Sequence, residues 1–354
     1  PDAGAAGRAV PWSEPADIEA PLIGEAEGER LLTAIGEELA GELPAARLVG
    51  AVLEDGSSRS RLTSSRGVDV AWRSRVALLH LEAECPAGAV AVDLAAREAR
   101  RFGPGAIARR LADRLALVDA PPPAGFAARD RGELLLAPPL VARLLAALTP
   151  YLVGRRAVER MAALRDRRGR VGSAALTVVD DGRFPGGLLA TPCDGEGVTT
   201  RAVTLVEQGV FRQPLVAWYE ARDLDARPSG CSRRPSWRDL PRPGPTHLYL
   251  APSPGVAVAD LLADLARGYY LLDAAGPVSV DLEAATFSLR VAGFAVQSGR
   301  AVAPAGGLVL AGAVGTLWRG VQAVARDLDF VVDDGLVGSP TVLVTGLELR
   351  PVAR

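Results

Sequence analysis

An α+β fold in two parts follows from three patterns in the chain. Apolar residues recur at helical spacing near the start, at Leu31, Leu32, Ile35 and Leu39. A two-residue alternation then runs from Leu48 to Glu84, as antiparallel strands require. Beyond Ala174, short alternating stretches separated by glycine dominate. These patterns predict two domains: a smaller N-terminal one of helix and antiparallel sheet, and a larger, strand-rich C-terminal one.

Taken in order, residues 1–25 are rich in Pro, Ala and Gly without sustained periodicity and read as a tail or arm. Glu27 to Leu43 forms a helix. In the alternating stretch, Asp55-Gly56 and Arg66-Gly67 read as turns between strands. Residues 91–117 return to helix, interrupted at Gly103-Pro104-Gly105, and Pro121-Pro122-Pro123 makes a stiff extended break. This break sets the domain limits at 26–120, an N-terminal α/β domain, and 126–354. The second domain opens with a strand at Glu133 to Ala137 and a helix at Pro139 to Val153. An arginine-rich stretch, Arg165 to Arg170, reads as a solvated loop, with an anion clamp as the alternative. Further helices are expected near Val258 to Arg267 and Leu317 to Ala325.

The composition excludes several functions. The chain has 354 residues, 40 basic against 42 acidic, for a net charge of −2. That balance gives no overall attraction to nucleic acid or acidic membranes. Lys and Asn are absent, so every basic residue is Arg, and chemistry that needs a lysine amine is excluded. Cys85, Cys193 and Cys231 are widely spaced, which suits reduced thiols and a cytoplasmic protein. No apolar run is long enough to span a membrane.

The segment from Phe184 to Phe211, FPGGLLATPCDGEGVTTRAVTLVEQGVF, is the most informative. It combines a Pro-Gly-Gly turn, a Pro-x-Asp-x-Glu-Gly-Val-x-Thr motif and a Glu207-Gln208-Gly209-Val210 turn between two strands. Asp194 and Glu196 admit a paired-carboxylate reading, but an Asp and Glu flanked by Gly195 and Gly197 also suit a turn that binds its own amides. Cys193 reads as a small core residue. Cys231 could act as a thiol nucleophile only with a base beside it, and His247 is the candidate. His80, in a strand, reads as a half-buried structural residue. His247 reads as structural, with donation to a peptide backbone as the alternative. Gly312-Ala313-Val314-Gly315 is only a partial phosphate-loop pattern.

These motifs resemble the TldD/PmbA metallopeptidase family, across nearly all of the second domain and more weakly across SRGVDVAWRSRVALLHLEAE in the first. The resemblance implies a shortened N-terminal domain, since family members are usually longer there. It also implies that Gly312 to Gly315 is a strand-to-helix turn. In the peptidase branch, a His-Glu-x-x-x-His helix and a late Cys-Gly pair hold zinc, and the Glu activates the metal-bound water. Alignment through Leu144-Leu145 puts Ala146 and Tyr151 at the His positions, Ala147 at the Glu and Val337 at the Cys. The resemblance therefore implies the zinc-lacking, TldE/PmbA-like branch, with no cofactor in this chain and zinc in a TldD-like partner. The expected role is a subunit of a heterodimeric peptidase acting on unfolded or leader peptides, as in maturation of a peptide natural product. Peptide and partner contacts are expected at His247, Asp194, Glu196, Cys231 and the strands from Gly276 to Thr345. The alternatives are a stand-alone peptide-binding or scaffold protein, and a Cys231 hydrolase.

Overall fold

A computed structural model describes residues 19–352 apart from 66, 119, 127, 128, 235, 237, 275 and 334, and without the side chains of 333 and 335. The expected tail therefore lies mostly outside the described residues. Contacts divide the chain into two compact units. The first contains the described residues up to Leu115, with Asp181–Val203 and Leu215–His247. The second contains Ala116–Asp180, Thr204–Pro214 and the described residues from Leu248 onward. Helices and mostly antiparallel sheets in both make the fold α+β.

In the first unit, helices Glu25–Glu42 and Pro104–Ala116 share a core with the three-stranded sheet Arg47–Thr63, Asp69–Cys85 and Gly88–Ala96. The middle strand shows why. Ala77, Leu79, Leu81 and Ala83 are buried while Leu78, His80, Glu82 and Glu84 face outward or lie half-covered, the period of a one-sided sheet. Ile35, Leu39, Leu111 and Leu115 close over that face, each contributing about 1.5–3 kcal/mol on burial.

The second unit holds two larger sheets. One runs in the order Asp329–Asp333, Gly335–Ser339, His247–Leu250, Val178–Asp181, Ala202–Glu207 and Val210–Phe211. The other has eight strands and centres on Glu133–Leu136, Arg267–Ala274, Thr286–Gln297 and Arg300–Ala313. Glu133–Leu136 runs parallel to Arg267–Ala274, whereas its other neighbour, Val342–Val344, is antiparallel. Buried Leu134, Leu135 and Leu136 form a continuous apolar run, as befits a strand covered on both faces. The Glu207 to Val210 turn is present, with positive φ at Gln208 (47°) and Gly209 (78°), the left-handed pair of a tight hairpin. Ala313 ends a strand and Val314 begins a helix, as the resemblance implied for that stretch.

Five sequence expectations need correction. Asp55-Gly56 is not a turn. Both residues sit inside Arg47–Thr63, paired with Ala77 and Val76, and the Asp55 carboxylate accepts the amides of Leu22 (2.5 Å) and Ile23 (3.1 Å). The chain reverses at Ser64–Val68, where Gly67 has φ 84°. Residues 91–96 are strand, because pairing of Gly88–Ala96 with Ala77–Cys85 overrides the helical preference of its alanines. Pro104 opens the following helix, where its missing N–H is harmless. The helix from Pro138 stops at Ala147, and Thr149–Tyr151 is a 3-10 turn containing Pro150. The helix near Leu317 is Val314–Gly320, and Val321–Val324 is strand. A helix at Arg156–Leu164 was not anticipated.

Replacing Asp55 by Ala leaves the Leu22 and Ile23 amides without this acceptor. It is expected to lower stability by about 1 kcal/mol, read as a lower urea midpoint at unchanged slope. No change would show that the segment before the first helix is not held by this carboxylate.

Candidate functional site

Residues 184–203 of the motif segment and the loop leading to His247 lie in the first unit and form one hydrogen-bonded assembly. Phe184 to Gly187 make a tight turn, closed by the Gly187 amide on the Phe184 carbonyl (2.9 Å), with Gly186 at φ 70°. His247 lies beneath it. A Cβ at position 187 would collide with the imidazole, so only glycine admits this approach. Phe184 stacks on the same ring, with centroids 5.6 Å apart.

Both His247 nitrogens are engaged. Nδ1–H donates to the Asp181 carbonyl (2.8 Å), and Nε2 accepts the Leu189 amide (3.2 Å). A carbonyl can only accept and an amide N–H can only donate, so the bonds assign a neutral tautomer. Burial pushes the pKa down to about 4, with Arg233 and Arg97 adding to the shift and the bond to Asp181 opposing it. Arg97 donates to Ser74 Oγ and to the Leu188 and Ala190 carbonyls, which fixes the chain on either side of Leu189.

The Asp194 turn is built on its carboxylate. Oδ1 accepts the amides of Glu196 and Val198 (2.9 Å each), and Oδ2 accepts that of Ser232 (3.0 Å). Burial raises this carboxyl to about 6 against the pull of those three amides. Glu196 Oε2 accepts the Trp218 amide (2.8 Å) and the Ser232 hydroxyl (2.5 Å). The two acids are therefore cross-braces between loops, and this geometry does not set them up as an acid and base pair. Gly197, at φ 82°, packs where the Leu62 and Val68 side chains meet it.

Cys193 is buried, and burial raises its thiol to about 11. Cys231 is 1% exposed, with its thiol 3.7 Å from the Val216 carbonyl. A His247 whose lone pair already accepts an amide, with a pKa near 4, is poorly suited to activate that thiol at neutral pH. His80 is half-exposed. Its bonds to Asp93 (2.7 Å) and then Glu82 (3.4 Å) raise its pKa.

In the second unit, the positions aligned with the zinc ligands do not fit a metal. Ala146 and Ala147 end a helix, Val337 is buried in a strand, and none of the three side chains offers a donor. Tyr151 is buried, with its hydroxyl 3.5 Å from the Leu282 carbonyl, and burial raises its pKa away from the phenolate a metal would need. Among the described residues no three His, Cys, Asp or Glu side chains form a metal-holding group, and no helix is long and apolar enough to cross a membrane. Sequence reading missed Ser232, Arg97 and Trp218. Their roles depend on partners 20 or more residues away, and no local spacing signals them.

Residues 129–350, more than half of the chain, match the profile of the PmbA/TldA metallopeptidase C-terminal domain, which defines the class of the second half of the molecule. The chain belongs to the TldD/PmbA metallopeptidase family. It is 25% identical over 154 residues to the metalloprotease PmbA of Escherichia coli O157:H7, covering 44% of this chain and 32% of that protein. It is 25% identical over 170 residues to the metalloprotease TldD homolog of Buchnera aphidicola subsp. Schizaphis graminum, covering 48% and 35%. The match thus spans about a third of these curated relatives, and equal identity to both names does not select a branch. The crystal structure of TldE from Thermococcus kodakarensis superimposes with a TM-score of 0.78 at 20% identity, over 96% of this chain and 79% of that one, so the fold is shared.

Two predictions follow from this geometry. The chain has only two histidines, so proton–nitrogen NMR can follow each. His80 is expected to titrate above 6.5, and His247 to keep its Nδ1–H tautomer down to about pH 4. Protonation of His247 near 6.5 would contradict the bonding described. The linked stability has a definite sign. A lowered His247 pKa means the unfolded chain takes up a proton that the native one refuses, so this contribution is full above pH 6.5 and is lost as pH falls toward 4. The raised Asp194 pKa acts oppositely, with stability present below 3.8 and lost as pH rises through about 6.

Asp194→Ala leaves the buried Ser232 amide and the half-buried Glu196 and Val198 amides without this acceptor and is expected to destabilise by about 2–4 kcal/mol. Asp194→Asn keeps one acceptor oxygen and is expected to lose less. Equal urea midpoints for all three proteins would show that the carboxylate does not brace these loops.

Proposed function

We propose that this chain is the zinc-free, TldE-like subunit of a heterodimeric peptidase, whose TldD-type partner carries the zinc and cuts unfolded or leader peptides. The observation that carries this reading is the donor chemistry. The positions aligned with the metal ligands hold Ala146, Ala147, Tyr151 and Val337, and the helix that would carry the motif ends at Ala147. Both histidines of the chain are tied to other partners, His247 to the backbone and His80 to carboxylates. A zinc hydrolase needs three protein ligands and a water, so the metal belongs to the partner.

The contribution of this chain would be to bind and position the peptide. An open groove of about 680 Å³ in the second unit supports this. Its lining mixes small side chains, among them Ser279, Thr286, Ser288 and Ala311, with Phe287 and the charged Arg131, Asp281, Glu348 and Arg350. Small side chains on a sheet face leave room for an extended chain, which contributes backbone bonding with little sequence preference. A role in maturing a peptide product, in the cytoplasm, is consistent with reduced cysteines and a dedicated partner.

The test is to purify the chain alone and co-expressed with a relative carrying His-Glu-x-x-x-His, and to measure zinc by mass spectrometry and cleavage of an unfolded peptide. Co-purification, with zinc and cleavage only in the pair, is expected. Stoichiometric zinc or robust cleavage by the isolated chain would overturn the assignment, and failure to pair would favour a stand-alone binding protein.

A further inference from the structure

The loop between the motif segment and His247 carries an unbalanced charge. Residues 222–242 contain six arginines, Arg222, Arg227, Arg233, Arg234, Arg238 and Arg242, against Asp223, Asp225 and Asp239, in a chain of net charge −2. The excess is therefore local. It is concentrated on a small hairpin, Ser232–Arg233 with Arg242–Pro243, in which Arg233 and Arg242 are direct cross-strand partners. Like charges placed opposite one another destabilise a strand pair.

Nearby carboxylates do not pair with Arg234 or Arg242. Asp239 turns its carboxylate to Ser236 Oγ (2.8 Å) and gives Arg234 only its carbonyl (2.7 Å). Glu196 Oε2 is taken by the Trp218 amide and the Ser232 hydroxyl. Among the described residues, Arg234 and Arg242 form no ion pair. The same pattern recurs close by, where burial and then neighbouring Arg227 push the Arg201 guanidinium below its ordinary value.

Beside these cations lie large apolar side chains that the fold leaves open. Trp218 is 45% exposed, Tyr219 48% and Leu240 79%. They are continuous with the arginines through the Asp194 turn: Glu196 holds the Trp218 amide, and the Arg234 stem and Pro241 lie against Gly195. Arg242 and Glu196 both act on the Tyr219 phenol, whose pKa is raised first by burial. Exposed aromatics next to arginines without carboxylate partners are the composition of an interface anchor, and the guanidinium fork matches a carboxylate.

We propose that Trp218, Tyr219, Arg234, Leu240 and Arg242 bind an acidic, apolar-interrupted stretch of the peptide substrate. The proposal rests on the peptide-handling role above and adds a substrate class to it. Charge complementarity selects the occupant: the surface offers Arg234 and Arg242 without counter-ions beside exposed apolar side chains, so a stretch carrying both carboxylates and apolar side chains satisfies both.

The test is fluorescence anisotropy of the full chain with a fluorescein-labelled dodecapeptide alternating Glu and Leu, and with its Gln-for-Glu counterpart. The Glu peptide should bind, more weakly as salt rises, with the Gln peptide weaker by roughly tenfold or more. Arg234→Glu with Arg242→Glu should abolish binding. Arg234→Gln with Arg242→Gln, a milder change at exposed positions, should weaken it by roughly tenfold at an unchanged thermal midpoint. Equal affinity for the two peptides, or full binding by the charge-reversed variant, would overturn the proposal. Intact peptide binding by the variants with loss of co-purification would also overturn it, since the surface would then be a subunit contact. Absence of cleavage by the co-purified pair would instead count against the subunit assignment and leave the titration standing.

Discussion

The Asp194 carboxylate is the constraint on which the arrangement of the first unit depends. It gathers amides from its own turn and from Ser232, 38 residues further on, so it closes a local loop and a long-range one together. Without it the buried Ser232 amide would lack an acceptor, a cost of about 1–3 kcal/mol, and the half-buried Glu196 and Val198 amides would lose theirs at a smaller cost. Glu196 repeats the logic one step outward by holding the Trp218 amide. The positions of Trp218, Tyr219 and the arginine hairpin then follow from where these two acids hold the backbone.

His247 completes the assembly from the other side. An imidazole can be a metal ligand, a base or a paired bridge between a donor and an acceptor. Burial between the Asp181 carbonyl and the Leu189 amide makes it the third. Protonation would turn its acceptor nitrogen into a donor facing another donor, and burial, the main cause of its low pKa, opposes the same proton. In a family named for metallopeptidases, this chain keeps one histidine as a backbone bridge and the other in contact with two surface carboxylates, and its helix ends before a second ligand position is reached. The proposed division of labour between subunits rests on this difference in residue type.

The sequence determined what depends on residues close together in the chain. Alternation marked the long hairpin, glycines marked the turns at Gly67 and Gly209, and residue type alone fixed the lack of metal donors at Ala146, Ala147 and Val337. The family followed from one contiguous motif. Local preference failed where pairing between distant segments outweighed it. Asp55-Gly56 looks like a turn, but its carboxylate binds Leu22 and Ile23 and its backbone pairs with Ala77 and Val76. Residues 91–96 look helical, but they complete a ladder. Only the tertiary structure decided that Asp194 meets Ser232, that His247 lies under Gly187 and that Arg233 faces Arg242. Each of these contacts joins residues 9 to 60 positions apart, and spacing along a chain carries information only over the few residues that one turn or one strand pair makes neighbours.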